Sequence, residues 1–140
     1  MSRRNVELTQ RLVEAFNARD VEIVAVLCDQ RIELDSALSG LSGIYRGHDG
    51  LRRYFQDLED AWGHEVRREP VAYFDLGECT LMLYAAHARG RQSGVELAQP
   101  AAVSLKWRDG LCVYIKNYAH KEDALSDLGV SEDALEPFGP

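Results

Sequence analysis

The sequence predicts an α+β fold in which N-terminal helices precede a meander of long antiparallel strands. Apolar residues recur at helical spacing over residues 5–18 and again over residues 51–62. Beyond residue 65 apolar and polar residues alternate, and the Asp-Gly dipeptide at 109–110 is a strong hairpin signal. Helices grouped on one side of an antiparallel sheet define the α+β class.

The first half of the chain contains three predicted helices and one predicted strand. Asn5 is expected to cap the first helix, and Asp20 is expected to cap a short second helix over "VEIVAVLC". The alternating "RIELDSA" then predicts a strand. After a loop rich in Gly and Ser, the third helix ends at Gly63, and its apolar face consists of Leu51, Tyr54, Phe55, Leu58 and Trp62.

The second half contains four predicted strands and a closing helix. Pro70 in "HEVRREPVAYFDLG" indicates an edge or a bulge, because proline cannot donate to a strand ladder. After a tight turn, "CTLMLYAAHARGR" predicts a long strand, and the turn "QSGV" leads to another, "ELAQPAAVSLKWR". The last strand, "LCVYIKNYA", precedes a short helix, "HKEDALSDLGV", which Gly129 closes.

Composition restricts the setting and the partners. The 140 residues suit one domain, residues 1–140, and a net charge of −7 argues against a nucleic-acid partner. No apolar run could span a bilayer, and "MSRRNVELTQ" lacks the apolar segment of a secretory signal. Three scattered cysteines predict buried, reduced thiols and a cytoplasmic location. Dispersed histidines and the lack of a Gly-rich phosphate loop predict no metal and no nucleotide cofactor.

Four local patterns together resemble the nuclear transport factor 2-like superfamily, in particular its SnoaL-like branch. They are "LVEAFNARDVEIVAVLCDQRIEL", "YRGHDGLRRYFQDLEDAW", "SGVEL" and "WRDGLCVYIKNYAHKEDAL", and the resemblance covers about residues 5–128. It implies a cone-shaped, cystatin-like roll, in which a curved antiparallel sheet and three helices enclose a pocket. The same cone serves isomerases, cyclases, epoxide hydrolases, dehydratases and binding proteins, so the fold leaves the activity open.

The stretch "GIYRGHDGLRRYF" places His48 next to Asp49, which raises the question of a catalytic dyad. A dyad needs both side chains at one reacting atom, whereas neighbours at a helix start point in different directions. We therefore interpret the stretch as a turn that starts the third helix. Gly47 is expected to have a positive φ, and His48 or Asp49 is expected to cap the helix.

The last strand lacks the carboxylate that the resemblance leads one to expect. Isomerase-like relatives carry a His-x-Asp pair after the hairpin glycine, and here those positions are Ile115 and Asn117. Isoleucine transfers no proton and an amide is no general base. Asn117 is instead a candidate for orienting a ligand through hydrogen bonds, or a core amide whose bonds are satisfied.

Strand parity supplies further candidates. We assign His87 to the face of its strand that lines the cavity, where it could act as an acid or base with Asp35 of the first strand as its partner. If the parity is reversed, His87 lies on a dimer face. The remaining predicted lining of the pocket consists of Tyr45, Tyr54, Trp62, Gln99 and Asn117.

The opposite sheet face is expected to carry many small and aromatic residues, which would leave a large apolar patch on a monomer. A homodimer through the sheet face would cover that patch. The residues assigned to it are Met82, Tyr84, Ala86, Ala88, Ala102, Ser104, Tyr114 and Tyr118.

Three functions follow from this sequence. The first is a homodimeric SnoaL-like protein whose apolar pocket binds a small hydrophobic molecule. The alternative is an isomerase, cyclase or hydratase that acts on a cyclic or polyketide-like substrate and uses His87 and Asp35 in place of the missing carboxylate. The third is a structural dimerisation module, which a filled interior would favour.

Overall fold

A computed structural model describes residues 2–36, 43–63, 66–89 and 96–138 of the chain. The order of elements confirms the predicted α+β class. They are α1 (Ser2–Asn17), α2 (Val21–Leu27), β1 (Cys28–Asp35), β2 (Ile44–Arg46), α3 (Gly47–Trp62), β3 (Arg67–Asp75), β4 (Cys79–Arg89), β5 (Glu96–Arg108), β6 (Leu111–Tyr118), α4 (Lys121–Leu128), a 3₁₀ turn (Glu132–Ala134) and β7 (Pro137–Phe138).

The strands of this part of the chain form one mixed sheet in the order β2-β1-β6-β5-β4-β3-β7. Strands β3 to β6 make the predicted antiparallel meander. Strand β1, however, runs parallel to β6, which corrects the expectation of a purely antiparallel sheet. The chain between β1 and β6 supplies the long connection that a parallel pair requires. No helix among the described residues is long and apolar enough to span a membrane.

The helix starts confirm one predicted cap and correct another. Helix α1 begins at Ser2, so Asn5 lies inside it, and its side-chain Nδ2 donates to the carbonyl of Gly77 at 3.1 Å. Asp20 caps α2 as predicted, because its carboxylate accepts from the backbone N–H of Ile23 at 3.1 Å.

The short strand β2 lies in a region that the sequence predicted as loop. Gly47 follows it with a φ of 72°, as predicted, and lets the chain turn into α3. A Cβ at Gly50 would lie 2.9 Å from the carbonyl carbon of Tyr45, so α3 approaches β2 more closely than a larger residue would allow. The helix ends, as predicted, at Gly63.

The turns and the bulge confirm several predictions. Asp109 and Gly110 both have positive φ in the β5–β6 hairpin. The β3–β4 register shifts between Pro70 and Ala72, which places a bulge at the predicted proline. Residues 96–101 of β5 extend past the end of β6, which last pairs at Ala102. The predicted turn "QSGV" includes residues outside the described part of the chain.

The sheet separates two apolar clusters. We call the face under α1, α2 and α3 the inner face, and the opposite one the outer face. The inner cluster includes Phe16, Leu51, Tyr54, Phe55, Met82, Tyr84, Val103, Leu105 and Ile115. The outer cluster is formed by Phe74, Leu81, Ala102 and Tyr118, which pack against the C-terminal residues Ala124, Leu125, Leu128 and Leu135.

These clusters correct the face assignment of β4. Met82 and Tyr84, expected on an exposed face, belong to the inner cluster. Ala102 and Tyr118 do lie on the outer face, but α4 of the same chain covers them. The apolar patch expected on a monomer is therefore reduced by the protein's own C-terminal segment, and the homodimer stays a prediction.

Candidate functional site

A small cavity lies between the helices and the inner face of the sheet. Its volume is about 30 Å³, and it is almost entirely apolar. Its lining is Leu12, Val13, Phe16, Val24, Leu34, Leu51, Tyr54, Phe55, Arg68, Val103, Leu105 and Ile115. The exceptions to this apolar character are the hydroxyl of Tyr54 and the guanidinium of Arg68.

Arg68 is held at the cavity wall by aromatic side chains. Its Nη2 donates to the hydroxyl of Tyr54 at 2.9 Å. Its Cζ lies 4.1 Å from the ring centroid of Phe16 and 5.3 Å from that of Tyr84. Guanidinium groups favour such contacts because aromatic rings have a negative face. Both rings belong to the inner cluster, and Arg68 itself keeps partial exposure to solvent.

Local structure explains why Arg68 points inward. Both backbone groups of Arg68 bond the side chain of Asn17 at the end of α1: its N–H donates to Oδ1, and its carbonyl accepts from Nδ2, each at 2.8 Å. The bulge after Pro70 then changes the strand parity, so that Arg68 and Tyr73 share the inner face. Regular alternation back from Tyr73 would have placed Arg67 and Glu69 inside instead.

The hydroxyl groups near Arg68 favour its charge. Burial acts to lower the pKa of Arg68, but its electrostatic interactions with Tyr84 and Tyr54 outweigh burial and leave the pKa raised. Burial likewise raises the pKa of Tyr84, and Arg68 partly offsets that shift. The site therefore holds a permanent cation beside neutral hydroxyl groups.

Tyr84 connects this cluster to Asn117 and to a larger groove. Its hydroxyl donates to Oδ1 of Asn117 at 3.3 Å. Asn117 is only 3% exposed, and its Nδ2 has no hydrogen-bond partner among the described residues. The groove has a volume of about 640 Å³ and is lined by Val71, Leu83, Tyr84, Gln99, Pro100, Ala101, Ala119, His120, Lys121 and Glu122.

The predicted pocket residues occupy different parts of this region. Tyr54 lines the cavity, and the exposed Gln99 lines the groove. Tyr45 does not line the cavity but contacts Tyr54, which does. Its ring packs edge-on against that of Tyr54, with 5.4 Å between the ring centroids, and its hydroxyl donates to Asp57 at 2.7 Å. Trp62 is half-buried against the inner cluster and lines neither space.

His87 lies on the outer face, which corrects its assignment to the cavity. It pairs across the ladders with Arg67 and Ala98, and its Nε2 lies 3.1 Å from a carboxylate oxygen of Glu69. The strand "LMLYAAHA" is apolar on both sides, so its alternation did not indicate which side faces the helices. The structure corresponds to the reversed parity, for which we expected a dimer-face position.

The structure does not bring Asp35 and His87 together. Asp35 ends β1 beside Lys116 of β6, and His87 belongs to β4. Strands β6 and β5 lie between them, which corresponds to three strand spacings, or roughly 14 Å. The two residues therefore do not form the acid/base pair that the sequence suggested.

His48 and Asp49 point apart, in agreement with the interpretation of their stretch as a turn. His48 Nε2 donates to the carbonyl of Cys28 at 3.0 Å, and Asp49 contacts Arg52 at 3.4 Å. Neither side chain caps α3, because Arg46 holds the N-cap position and makes no side-chain capping bond.

The cysteines and the described acidic residues form no metal site. Cys28 and Cys112 are buried partners on adjacent strands, as expected for apolar packing, and burial raises the pKa of the Cys112 thiol. Within the described ranges, no group of three or more His, Cys, Asp or Glu side chains could hold a metal ion.

Comparison with known proteins identifies the class by fold. No protein-family model and no curated protein matches the sequence. An NTF2-like protein of unknown function from Burkholderia pseudomallei K96243 has a TM-score of 0.76 at 18% identity, over 90% of this chain and 97% of that chain. A candidate polyketide cyclase from Xanthomonas campestris pv. campestris has a TM-score of 0.71 at 16% identity, over 89% and 96%.

A third neighbour is a protein with a ketosteroid isomerase-like fold from Catenulispora acidiphila, crystallised in complex with trimethylamine. It has a TM-score of 0.72 at 12% identity, over 96% of this chain and 98% of that chain. At such identities the likeness shows the fold alone. The chain therefore has the nuclear transport factor 2-like fold, which confirms the resemblance seen in the sequence.

Proposed function

We propose that the protein binds a small hydrophobic molecule that lies in the groove and reaches the interior beneath α1 and α3. One observation carries this proposal. The linings of the interior cavity and the groove are in contact, because Arg68, which lines the cavity, stacks on Tyr84, which lines the groove.

The volumes determine how a ligand would be held. A cavity of about 30 Å³ accommodates little more than a water molecule, so no organic ligand fits it in this conformation. The groove, at about 640 Å³, lies within the range of roughly 300–1,000 Å³ that small-molecule sites occupy. The body of the ligand would lie in the groove, and rotation of Arg68 or Tyr84 would admit its tip to the cavity.

The neighbours support a binding role at the level of the fold. The Catenulispora acidiphila protein is a complex with trimethylamine, so a protein of this fold holds a small organic molecule. We also keep the homodimer as part of the proposal, because the part of the outer face near His87 and Ala85 lies beyond the cluster that α4 covers. For an enzymatic role, the separation of Asp35 from His87 removes the pair on which our alternative was based.

Calorimetric titration with two aromatic probes tests the proposal. We expect naphthoate, naphthamide or both to bind the wild-type protein with a Kd below about 1 mM. Val103→Phe fills the cavity and should weaken binding by about tenfold or more, since Val103 lines it. Val26→Phe makes the same change at a residue that is 74% exposed and should leave binding unchanged.

If neither probe binds the wild-type protein, or if both valine variants bind equally well, the proposed function is wrong. Circular dichroism must show that Val103→Phe is folded. Val103→Leu, a smaller increase in volume, provides the second variant if it is not.

A further inference from the structure

We propose that the molecule bound at this site carries a carboxylate, which pairs with the guanidinium of Arg68. This inference rests on the proposed function and adds the chemical class of the ligand: an apolar, ring-containing carboxylic acid whose head group enters the cavity and whose body occupies the groove.

The first support is that Arg68, which is partly exposed, carries a charge against the apolar inner cluster, and no carboxylate of the described residues pairs with it. Its side-chain contacts are the Tyr54 hydroxyl and the rings of Phe16 and Tyr84, and no carboxylate of the described chain is among them. A charge that loses part of its hydration against apolar side chains is stabilised by an opposite charge, so proteins commonly pair such groups. A ligand carboxylate would complete the pairing that the chain leaves open.

The second support is the number of unused donors. An arginine has five N–H donors in a fixed fork, and the Tyr54 hydroxyl accepts from one nitrogen, Nη2. A carboxylate accepts two parallel N–H bonds from such a fork, which gives both affinity and orientation. A neutral hydroxyl or an ester would accept fewer of these N–H bonds and would not neutralise the charge of the guanidinium.

The third support is the charge of the surrounding groups. Arg19 stacks on the ring of Phe16, with its Cζ 5.2 Å from the centroid, and is held by the carbonyls of Phe16 and Val66. Arg68 stacks on the same ring. The chain has a net charge of −7, yet this region holds two guanidinium groups. Arg19 interacts with the carboxylate of Glu59, which leaves Arg68 as the group that favours an anion.

Naphthoate and naphthamide distinguish this inference from the proposed function, because they have nearly the same shape and differ in charge. We expect naphthoate to bind the wild-type protein at least about tenfold more tightly than naphthamide. Arg68→Met removes the charge and keeps most of the length of the side chain. It should weaken naphthoate binding by about tenfold or more and leave naphthamide within about threefold.

Two further variants complete the experiment. Arg67→Met makes the same change at the preceding, exposed residue and should bind both probes as the wild type does. Arg68→Lys keeps the charge and should retain part of the preference for naphthoate, which also serves if Arg68→Met does not fold. Equal binding of both probes by the wild type, or equal losses of both in Arg68→Met, would overturn the carboxylate assignment while leaving the proposed function intact.

Discussion

The inner and outer faces of the sheet are both apolar, but polar groups are placed on them in different ways. On the inner face, Arg68, Tyr84 and Asn117 lie within the cluster and bond one another or aromatic rings. On the outer face, the hydroxyl of Tyr118 donates to the half-exposed Asp127.

The placement of these polar groups indicates which face is suited to a ligand. Polar groups at the outer rim meet one another and solvent, so their bonding needs are met without a ligand. Asp127, for example, also receives a bond from Lys116 at 3.2 Å. On the inner face, the buried Nδ2 of Asn117 has no partner among the described residues, and the Arg68 side chain donates there to the Tyr54 hydroxyl.

The largest predicted effect compares two neighbouring residues of β4 that point to opposite faces. Leu81 belongs to the outer cluster and Met82 to the inner one, and both are 0% exposed. Replacing either by alanine should lower the free energy of unfolding by about 2–5 kcal/mol, because each change leaves a cavity. Urea denaturation of Leu81→Ala and Met82→Ala measures both losses.

Repeating that measurement over a range of protein concentrations sharpens the comparison. Because α4 of the same chain covers Leu81, we expect its loss to be independent of concentration. A cost under about 1 kcal/mol, or one that shrinks on dilution, would show that a second copy rather than α4 stabilises the outer face.

The second prediction concerns alkaline pH and the inner face. Burial, together with the charge of Glu14, raises the pKa of Tyr73 to about 12, against about 10 when unfolded. The raised pKa contributes stability that is fully present below pH ~10 and is lost as the pH rises through the folded value. Tyr73→Phe should therefore reduce the loss of stability between about pH 10 and 12 by about 1–2 kcal/mol.

Guanidinium denaturation at several alkaline pH values measures this effect. Val26→Ala, at an apolar side chain that is 74% exposed, is the control and should show the same alkaline loss as the wild type. If Tyr73→Phe loses as much stability as the wild type over this range, the phenol of Tyr73 does not titrate as its burial requires.

The smallest predicted effect concerns acid pH and the outer face. The Tyr118 hydroxyl and the Lys116 ammonium hold the pKa of Asp127 below its usual range. Its contribution is therefore present above pH ~4, the unfolded value, and is lost as the pH falls through the lower folded pKa. Asp127→Asn should lower the free energy of unfolding at neutral pH by less than about 1 kcal/mol, because the carboxylate is half exposed. Near pH ~2 the variant and the wild type should be equally stable. A difference that persists at the acid end would contradict this.

The sequence predicted most elements because their signals are local. Asp20 caps α2, Gly63 ends α3, and Asp109-Gly110 forms the hairpin, each through the backbone requirement of that residue type. The strand β2 was missed because three residues after a Gly-rich loop carry no periodicity, and they form a strand only by pairing with β1.

The candidate site was harder to predict because it depends on which way strands face. In β4, Leu81 and Met82 are both apolar, so alternation could not assign Tyr84 to the inner face or His87 to the outer one. In β3, the inward position of Arg68 depends on the bulge. The proline signal indicated that bulge, but its effect on parity appears only when β3 pairs with β4.

The projecting end of β5 has a consequence for the behaviour of the protein at high concentration. Residues 96–101 pair with β4 on one side, while β6 has already ended on the other. An unpaired strand edge of this kind can pair with a strand of another molecule, and repeated pairing leads to fibrils. Pro100 lies in that edge and has no amide hydrogen to donate, so we expect it to hinder the addition of a further strand there.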